Sequence, residues 1–291
     1  MGIEKSVGCN LHFQKSAESK PLKDQVLNMK KILRDLFDHM VRTDMWVERI
    51  YLIPKDGKLL ATARIENKPK KSKKKNTESE KPTIFGFINA VSISDFDSLD
   101  QSCCIMTEDL IKISKRGFFK QTNIKGANFE FIINGIEDDQ YVLKIVSEDG
   151  SISTVIYLPL APSAESKISK FKAEPKYGIE WMPIKSAVQR MKAQAKVAGH
   201  VNFLIENDNL VARFSEDNIS GYCVLHPHPI KKLSNALPYS DIFFDARMIC
   251  SALSSLGIKK VLIEERDSFF EIQCRSDDFN YNYYILALQN T

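Results

Sequence analysis

The strongest constraint on this chain is that its C-terminal part repeats itself. FLIENDNLVARF (Phe203–Phe214) can be laid beside VLIEERDSFFEI (Val261–Ile272) almost without gaps. A repeat of this length marks a supersecondary unit used more than once. Ahead of the first copy, Trp181–Ala198 carries Ile184, Val188, Met191 and Ala195 at helical spacing, with Pro183 suited to a first turn and Gly199 as the stop. Val201–Ile205 and Leu210–Phe214 then read as strands around the polar turn Glu206–Asn209, and Tyr222–Leu225 as a third. The second copy keeps the order. Ile242–Phe244 is a strand, Asp245 caps the helix in ARMICSALSSLG, and Gly257 stops it. KKVLIEERDSFFEIQC supplies two strands and NYNYYILAL a third. Residues 177–291 therefore hold two strand, helix, three-strand units.

The N-terminal half follows the same plan. Cys9–Gln14 is a candidate strand, and Leu22–Val41 an amphipathic helix with Val26, Met29, Leu33, Leu36 and Met40 inward. ERIYLIPKDGKLLATARIE is a hairpin around Lys55-Asp56-Gly57, and TIFGFINAVSI a further strand. In the next unit Cys103–Met106 is a strand, Thr107 caps a short helix through Ser114, and FEFIING, YVLKIVSED and ISTVIYLPL are strands. Four units in two halves predict an α+β chain of two domains, 1–158 and 177–291. The polar, proline-bearing connector 159–176 joins them, and the helices lie on one face of curved antiparallel sheets.

Composition narrows the class further. With 43% hydrophobic and 27% charged residues among 291, the chain is globular, not disordered, collagen-like or a coiled coil. Met1–Gln14 has no apolar run of signal-peptide length, and no window approaches the roughly 18 apolar residues of a membrane helix. The expectation is a chain neither secreted nor inserted in a membrane. Its six cysteines show no CxxC spacing and sit mostly in apolar runs, which reads as reduced thiols in an intracellular protein. Cys103-Cys104 lies in a strand, so at least one of the two points into the core. The net charge of +4 is unevenly placed: Lys68–Lys81 holds seven lysines and two glutamates, +5 in all, and leaves about −1 for the rest. This stretch is a solvated insertion loop (68–82), which serves solubility, nuclear import or nucleic-acid contact.

NYNYYILAL (Asn280–Leu288) is similar to the closing strand of the PCNA superfamily of sliding clamps, where a tyrosine-rich strand runs into a short apolar tail. More narrowly, Ile184–Asp217 and Phe243–Gly257 resemble the third and fourth helical units of the third-named subunit of the heterotrimeric nine-one-one checkpoint clamp. That family also places a Lys-Ser, here Lys185-Ser186, before an apolar-polar helix and an acid-x-Arg, here Asp245-Ala246-Arg247, before its last helix. The resemblance implies two PCNA-like domains and a non-enzymatic ring subunit. Its partners would be two other clamp subunits, double-stranded DNA without sequence specificity, a clamp loader, and repair and checkpoint proteins. No cofactor and no membrane are implied, and the location would be nuclear with a cytoplasmic pool.

A ring on DNA needs helices that offer cations to phosphates without reading bases. Lys185, Lys192 and Lys196, with Gln189 between, fall at steps of four, three and four and form one stripe. Lys23, Lys30 and Arg34 form a similar stripe on the first helix, diluted by Asp24, Asp35 and Asp38. Lys112, Lys115 and Arg116 serve the second helix and Arg247 the fourth. Amphipathic helices ordinarily have a charged outer face, but a solvated face mixes signs, whereas Ile184–Ala198 holds four cations and no acid. By resemblance, a partner groove lies between the connector, with Ile168 and Phe171 as its apolar points, and the tail Ile285, Leu286, Ala287 and Leu288. Phe171 serves equally well as an anchor of the connector onto its own domain.

Signals for catalysis are thin: there is no GxxxxGK[ST], GxGxxG, HExxH or GxSxG. His226-Pro-His228-Pro reads as a strand-ending loop, and Glu264-Glu265 and Asp277-Asp278 as solvated turns. No catalytic or metal-binding residue is assigned. The alternatives are a homotrimeric replicative or viral processivity clamp and, in another class, a nucleic-acid-binding module or enzyme that uses the basic loop.

Overall fold

A computed structural model describes residues 27–41, 47–66, 83–120, 128–167, 177–181, 185–207, 209–226, 231–232, 243–255, 261–265 and 269–288. The expected strand at Cys9–Gln14, Lys23, Val26, the lysine loop, Ile168, Phe171, Ile184 and Gly257 lie outside these residues. In chain order, helix α1 (Met29–Leu36) continues into a π-helical turn (Phe37–Val41), then come strands β1 (Arg49–Lys55), β2 (Lys58–Glu66), β3 (Ile84–Ser92) and β4 (Cys103–Met106). Helix α2 (Thr107–Lys115) is followed by β5 (Phe129–Glu137), β6 (Gln140–Ser147), β7 (Ser153–Pro159) and a 3-10 turn at Ala164–Lys167. Then come β8 (Tyr177–Trp181), α3 (Lys185–Gln194), β9 (His200–Glu206), β10 (Asn209–Glu216), β11 (Ile219–His226) and β12 (Lys231–Lys232). The chain closes with β13 (Phe244–Asp245), α4 (Ala246–Ser255), β14 (Val261–Glu265), β15 (Phe269–Arg275) and β16 (Phe279–Leu286). Each helix is thus followed by a three-strand meander, as the repeat requires.

Local chemistry explains where elements start and turn. Asp56 and Gly57 both adopt positive φ, 50° and 70°, which closes the two-residue β1–β2 hairpin with the twist its strands need. The Asp245 carboxylate accepts from the Arg247 and Met248 amides at 2.9 and 3.0 Å, and so caps α4. Three expectations are corrected. The helix read from Leu22 begins at Met29, because Asn28 takes an extended conformation and its Oδ1 accepts the Lys31 amide at 3.0 Å. Thr107 does not cap α2: β4 runs straight into the helix, Met106 holds the cap position, and the Thr107 hydroxyl is buried inside the first turn. Glu264 and Glu265 stand in β14 opposite Glu271 and Phe270, not in a turn.

The strands form a nine-stranded sheet of order β12-β8-β14-β15-β16-β3-β2-β1-β4, a four-stranded sheet β11-β10-β9-β13, and a three-stranded sheet β5-β6-β7. The largest sheet joins the two halves of the chain through β3 and β16, which pair antiparallel from Phe279↔Ser92 to Ile285↔Gly86. Gly86 makes this approach possible, since a Cβ there would collide with the Tyr284 carbonyl of the neighbouring strand. One side of the seam carries a buried polar row, Gln273, Asn282, Asn89 and Thr62, in register across four strands. Asn282 and Gln273 donate to Glu271 Oε1 at 2.9 and 3.1 Å, and Thr62 donates to Asn89 Oδ1 at 2.7 Å. The other side carries Tyr281 and Tyr283, which reach the end of α1. Tyr281 donates to the Asp35 carboxylate and stacks on His39 at 4.6 Å, and Tyr283 donates to the His39 carbonyl at 2.9 Å.

Helices pack in a row on one side of the sheets. The π turn at the end of α1 meets both α2 and α4, and α4 meets α3, which orders them α2, α1, α4, α3. Beneath the row lies the core, with Phe203 stacked on Phe270 at 4.5 Å and Phe244 tilted against Phe270 at 5.4 Å. Fully burying each such ring contributes about 2 kcal/mol. Cys103, Cys104, Cys223, Cys250 and Cys274 are buried and form no disulfide, and burial pushes Cys103 and Cys250 up to about 12. None of the described helices is long and apolar enough to cross a membrane.

Candidate nucleic-acid interface and open edges

Amphipathic spacing turns Ala187, Val188, Met191 and Ala195 of α3 into the core and leaves Lys185, Gln189 and Lys196 exposed, with Lys192 half-buried toward α4. Lys192 stands close enough to Cys250 for its charge to act against the rise that burial imposes on that thiol. Arg190 leaves the stripe: its guanidinium donates to the Val224 carbonyl of β11 at 3.3 Å. The stripe is therefore three lysines, and the fourth cation belongs to the sheet edge.

On α1, Arg34 and Lys31 are exposed and Lys30 is half-buried. Burial, followed by the charge of Arg34, lowers the Lys30 ammonium below its usual range. On α2, Lys115 and Arg116 are exposed, while Lys112 donates to Asp109 at 2.8 Å, and that bond and charge raise its pKa. Part of the charge expected from Lys112 is thus neutralised on its own helix. Arg247 is exposed in the first turn of α4. Nine of the ten cations assigned from the sequence are described; they lie on or at the ends of the four helices, and none is buried.

Tail residues of the expected groove divide. Ile285 is fully buried in the helix-facing core beside Tyr283, so it offers no wall to a surface groove; Leu286, Ala287 and Leu288 keep exposed area. The start of the connector folds back on the first half: Leu160 bridges Cys103, Ala161 N–H donates to the Ser102 carbonyl at 2.8 Å, and Ala164 is buried.

Two surfaces were not read from the sequence. β7 and β11 are the outermost strands of their sheets; β11 packs on α3 at one end of the helix row, and β7 meets β4, the strand that runs into α2 at the other. Val155 and Tyr157 on β7 are 44% and 56% exposed, and Tyr222 and Val224 on β11 are 73% and 39% exposed. The alternate residues Leu158, Cys223 and Leu225 are buried, so both strands are apolar on both faces although, among the described residues, Val155, Tyr157, Tyr222 and Val224 stay exposed. That two-sided pattern, TVIYL and YCVL, was the available signal, because a strand apolar on both faces is normally covered on both. A groove of about 480 Å³ runs between α3 and β11, walled by Arg190, Ala193, Gln194, Tyr222, Cys223 and Val224. Among the described residues, no cluster of His, Cys, Asp and Glu could hold a metal ion.

No protein-family model matches the chain, and no curated protein does. Solved structures do. PCNA from Thermococcus kodakaraensis superposes with a TM-score of 0.61 at 10% identity, over 90% of this chain and 98% of that one. Archaeal PCNA from A. fulgidus, solved with the C-terminal region of FEN-1, gives 0.58 at 13% identity over 90% and 95%. A PCNA2–PCNA3 complex from Sulfolobus tokodaii gives 0.53 at 11% identity over 89% and 94%. At such identities the likeness is one of fold, and the fold of this chain is that of the PCNA-like DNA clamps.

Proposed function

We propose that this chain is a non-enzymatic subunit of a ring that encircles duplex DNA, built from domains 1–158 and 177–291 with 159–176 between them. The observation that carries the reading is the pair of open edges, β7 and β11, which belong to the units of α2 and α3, the helices at the two ends of one row. The last strands of the first and fourth units, β3 and β16, already pair within the chain; β7 and β11 are the last strands of the second and third. The same antiparallel junction between chains covers both apolar edges and removes a hazard for aggregation. Val155 and Tyr222 lie on the exposed faces of β7 and β11, alternate to the buried Leu158 and Cys223, so such a junction would bring the two apolar faces side by side.

The helix row then faces DNA with Lys30, Arg34, Lys115, Arg116, Lys185, Lys192, Lys196 and Arg247, aided by Lys23 and Lys112. Such contacts are diffuse and salt-dependent, which suits sliding. Partner proteins dock by peptides against the tail Leu286, Ala287 and Leu288 and the connector residues Ile168 and Phe171. We assign it to a heterotrimeric checkpoint clamp served by a loader and by repair factors. It works in the nucleus with a cytoplasmic pool. A second reading, a self-closing replicative or viral clamp, draws on the presence of both edges in one chain. Light scattering at micromolar concentration separates them: a mass of three times 33.2 kDa supports self-closure, and 33.2 kDa supports unlike partners.

Duplex binding measured by fluorescence anisotropy across a salt series tests the DNA face. Lys185→Glu with Lys192→Glu should flatten the log–log salt slope by about two, roughly 0.9 per lost phosphate contact. Deletion of 68–81 should change it less. A deletion that abolishes binding while the two reversals do nothing would favour a nucleic-acid-binding module in place of a clamp.

A further inference from the structure

The groove between α3 and β11 has an internal counterpart at the β3–β16 seam, and the two differ in what fills them. At the seam the helix-facing residues of the last strand are large: Tyr281 and Tyr283 occupy the space and bind the end of α1. On β11 the helix-facing residues are Gly221 and Cys223, and a Cβ on Gly221 would press on Gln194 of α3. Here α3 itself lies against the strand, with Gln194 over Gly221 and the Cys223 side chain buried, and these two positions offer no counterpart of the seam's tyrosines. Charge differs as well. The seam encloses the Asp35 carboxylate, whereas the groove is walled by the Arg190 guanidinium, with Lys192 and Lys196 farther along the same helix.

The four units correspond, so in the proposed ring the helix that arrives at this groove is that of the neighbour's second unit, as the end of α1, in the first unit, arrives at α4 across the seam. In this chain that helix is α2, which ends in Lys115 and Arg116, both exposed, with Lys120 beyond and no acid after Asp109. A second copy would therefore set cations against Arg190. Like charges brought together at a contact cost affinity and suppress the wrong partner.

We infer that the α3–β11 groove takes the helix end of a different clamp-like chain, one that presents a carboxylate to Arg190, and that it rejects a second copy of this chain. The inference rests on the ring reading and deepens it, since it names the chemistry of one neighbour.

Charge reversal tests this in the full chain by analytical ultracentrifugation at micromolar concentration, without DNA and at low salt. The wild-type chain stays at 33.2 kDa. Arg190→Glu makes the groove acidic and complementary to α2, and it should raise self-association at least about tenfold. Lys115→Glu with Arg116→Glu should do the same from the other side. Combining all three reversals sets acid against acid and should restore the monomer, while Arg190→Lys keeps the charge and stays monomeric. Circular dichroism melts establish that each variant is folded. A wild-type trimer overturns the inference, and so does a set of folded reversals that all remain monomeric. If the reversals fail while Lys185→Glu with Lys192→Glu still flattens the salt slope, the clamp reading stands and only this inference falls. A slope indifferent to both lysines removes the two together.

Discussion

The seam between β3 and β16 and the open edges β7 and β11 are variations on one junction, and what separates them is the residues that close it. At the seam, seven residue pairs are in register, Gly86 lets the backbones touch, polar side chains bind across one face, and Tyr281 and Tyr283 anchor the other to α1. At the edges the facing residues are Val155, Tyr157, Tyr222 and Val224, all exposed. A junction meant to be permanent uses close fit and buried hydrogen bonds, which are costly to break once formed. An edge meant to meet a separate chain relies on apolar area and on charges at its border, which choose the partner.

The sharpest way to break this contrast is Gly86→Val. The obstacle is backbone, so β3 must move away from β16, and the loss should be about 3 kcal/mol in a urea melt. Retention of stability within a few tenths would show that the seam tolerates separation. Next comes Tyr281→Phe, which deletes a bond to a carboxylate and should lose about 2 kcal/mol. Its pH dependence is a second readout. Burial, then the Asp35 charge, hold the Tyr281 pKa well above the tyrosine value of about 10. The folded chain keeps that proton after the unfolded chain begins to lose it. The contribution is complete below about pH 10 and declines as pH rises beyond, so the variant should show a flatter alkaline limb. A limb identical to wild type would place the titration elsewhere. The smallest effect on folding belongs to Tyr222→Ala, within about 0.5 kcal/mol because the ring is 73% exposed. A large loss there would mean that Tyr222 already packs within its own chain.

Much of the architecture was legible because periodicity is local. The spacing of Val188, Met191 and Ala195, the Asp56-Gly57 turn and the Asp245 cap can each be read within a dozen residues, and each holds. Helix α1 was read too long because Leu22 and Val26 continue an apolar period past Asn28, whose capping bond outweighs that pattern. Thr107 has the chemistry of a cap, but β4 delivers the backbone into α2 one residue earlier. Glu264 and Glu265 look like a solvated turn, yet pairing with β15 holds them in a strand. Of the site, the lysine stripe of α3 follows from spacing alone. The edges do not, because which strand ends a sheet depends on pairings such as β3 with β16, nearly two hundred residues apart in sequence. Arg190 had the right sign for the stripe, and only its reach to Val224 places it at the border.

The unbroken nine-stranded sheet also sets where the assembly can give way. Tension applied across the chain from β7 to β11 passes through the seam, where interlocked backbones and two tyrosine anchors share it. The contacts that a neighbour makes at either edge lack those anchors on this side. In the ring proposed above, each chain would act as a stiff link and each boundary as its hinge, so a force that opened the ring would separate one subunit from the next and leave the link itself intact.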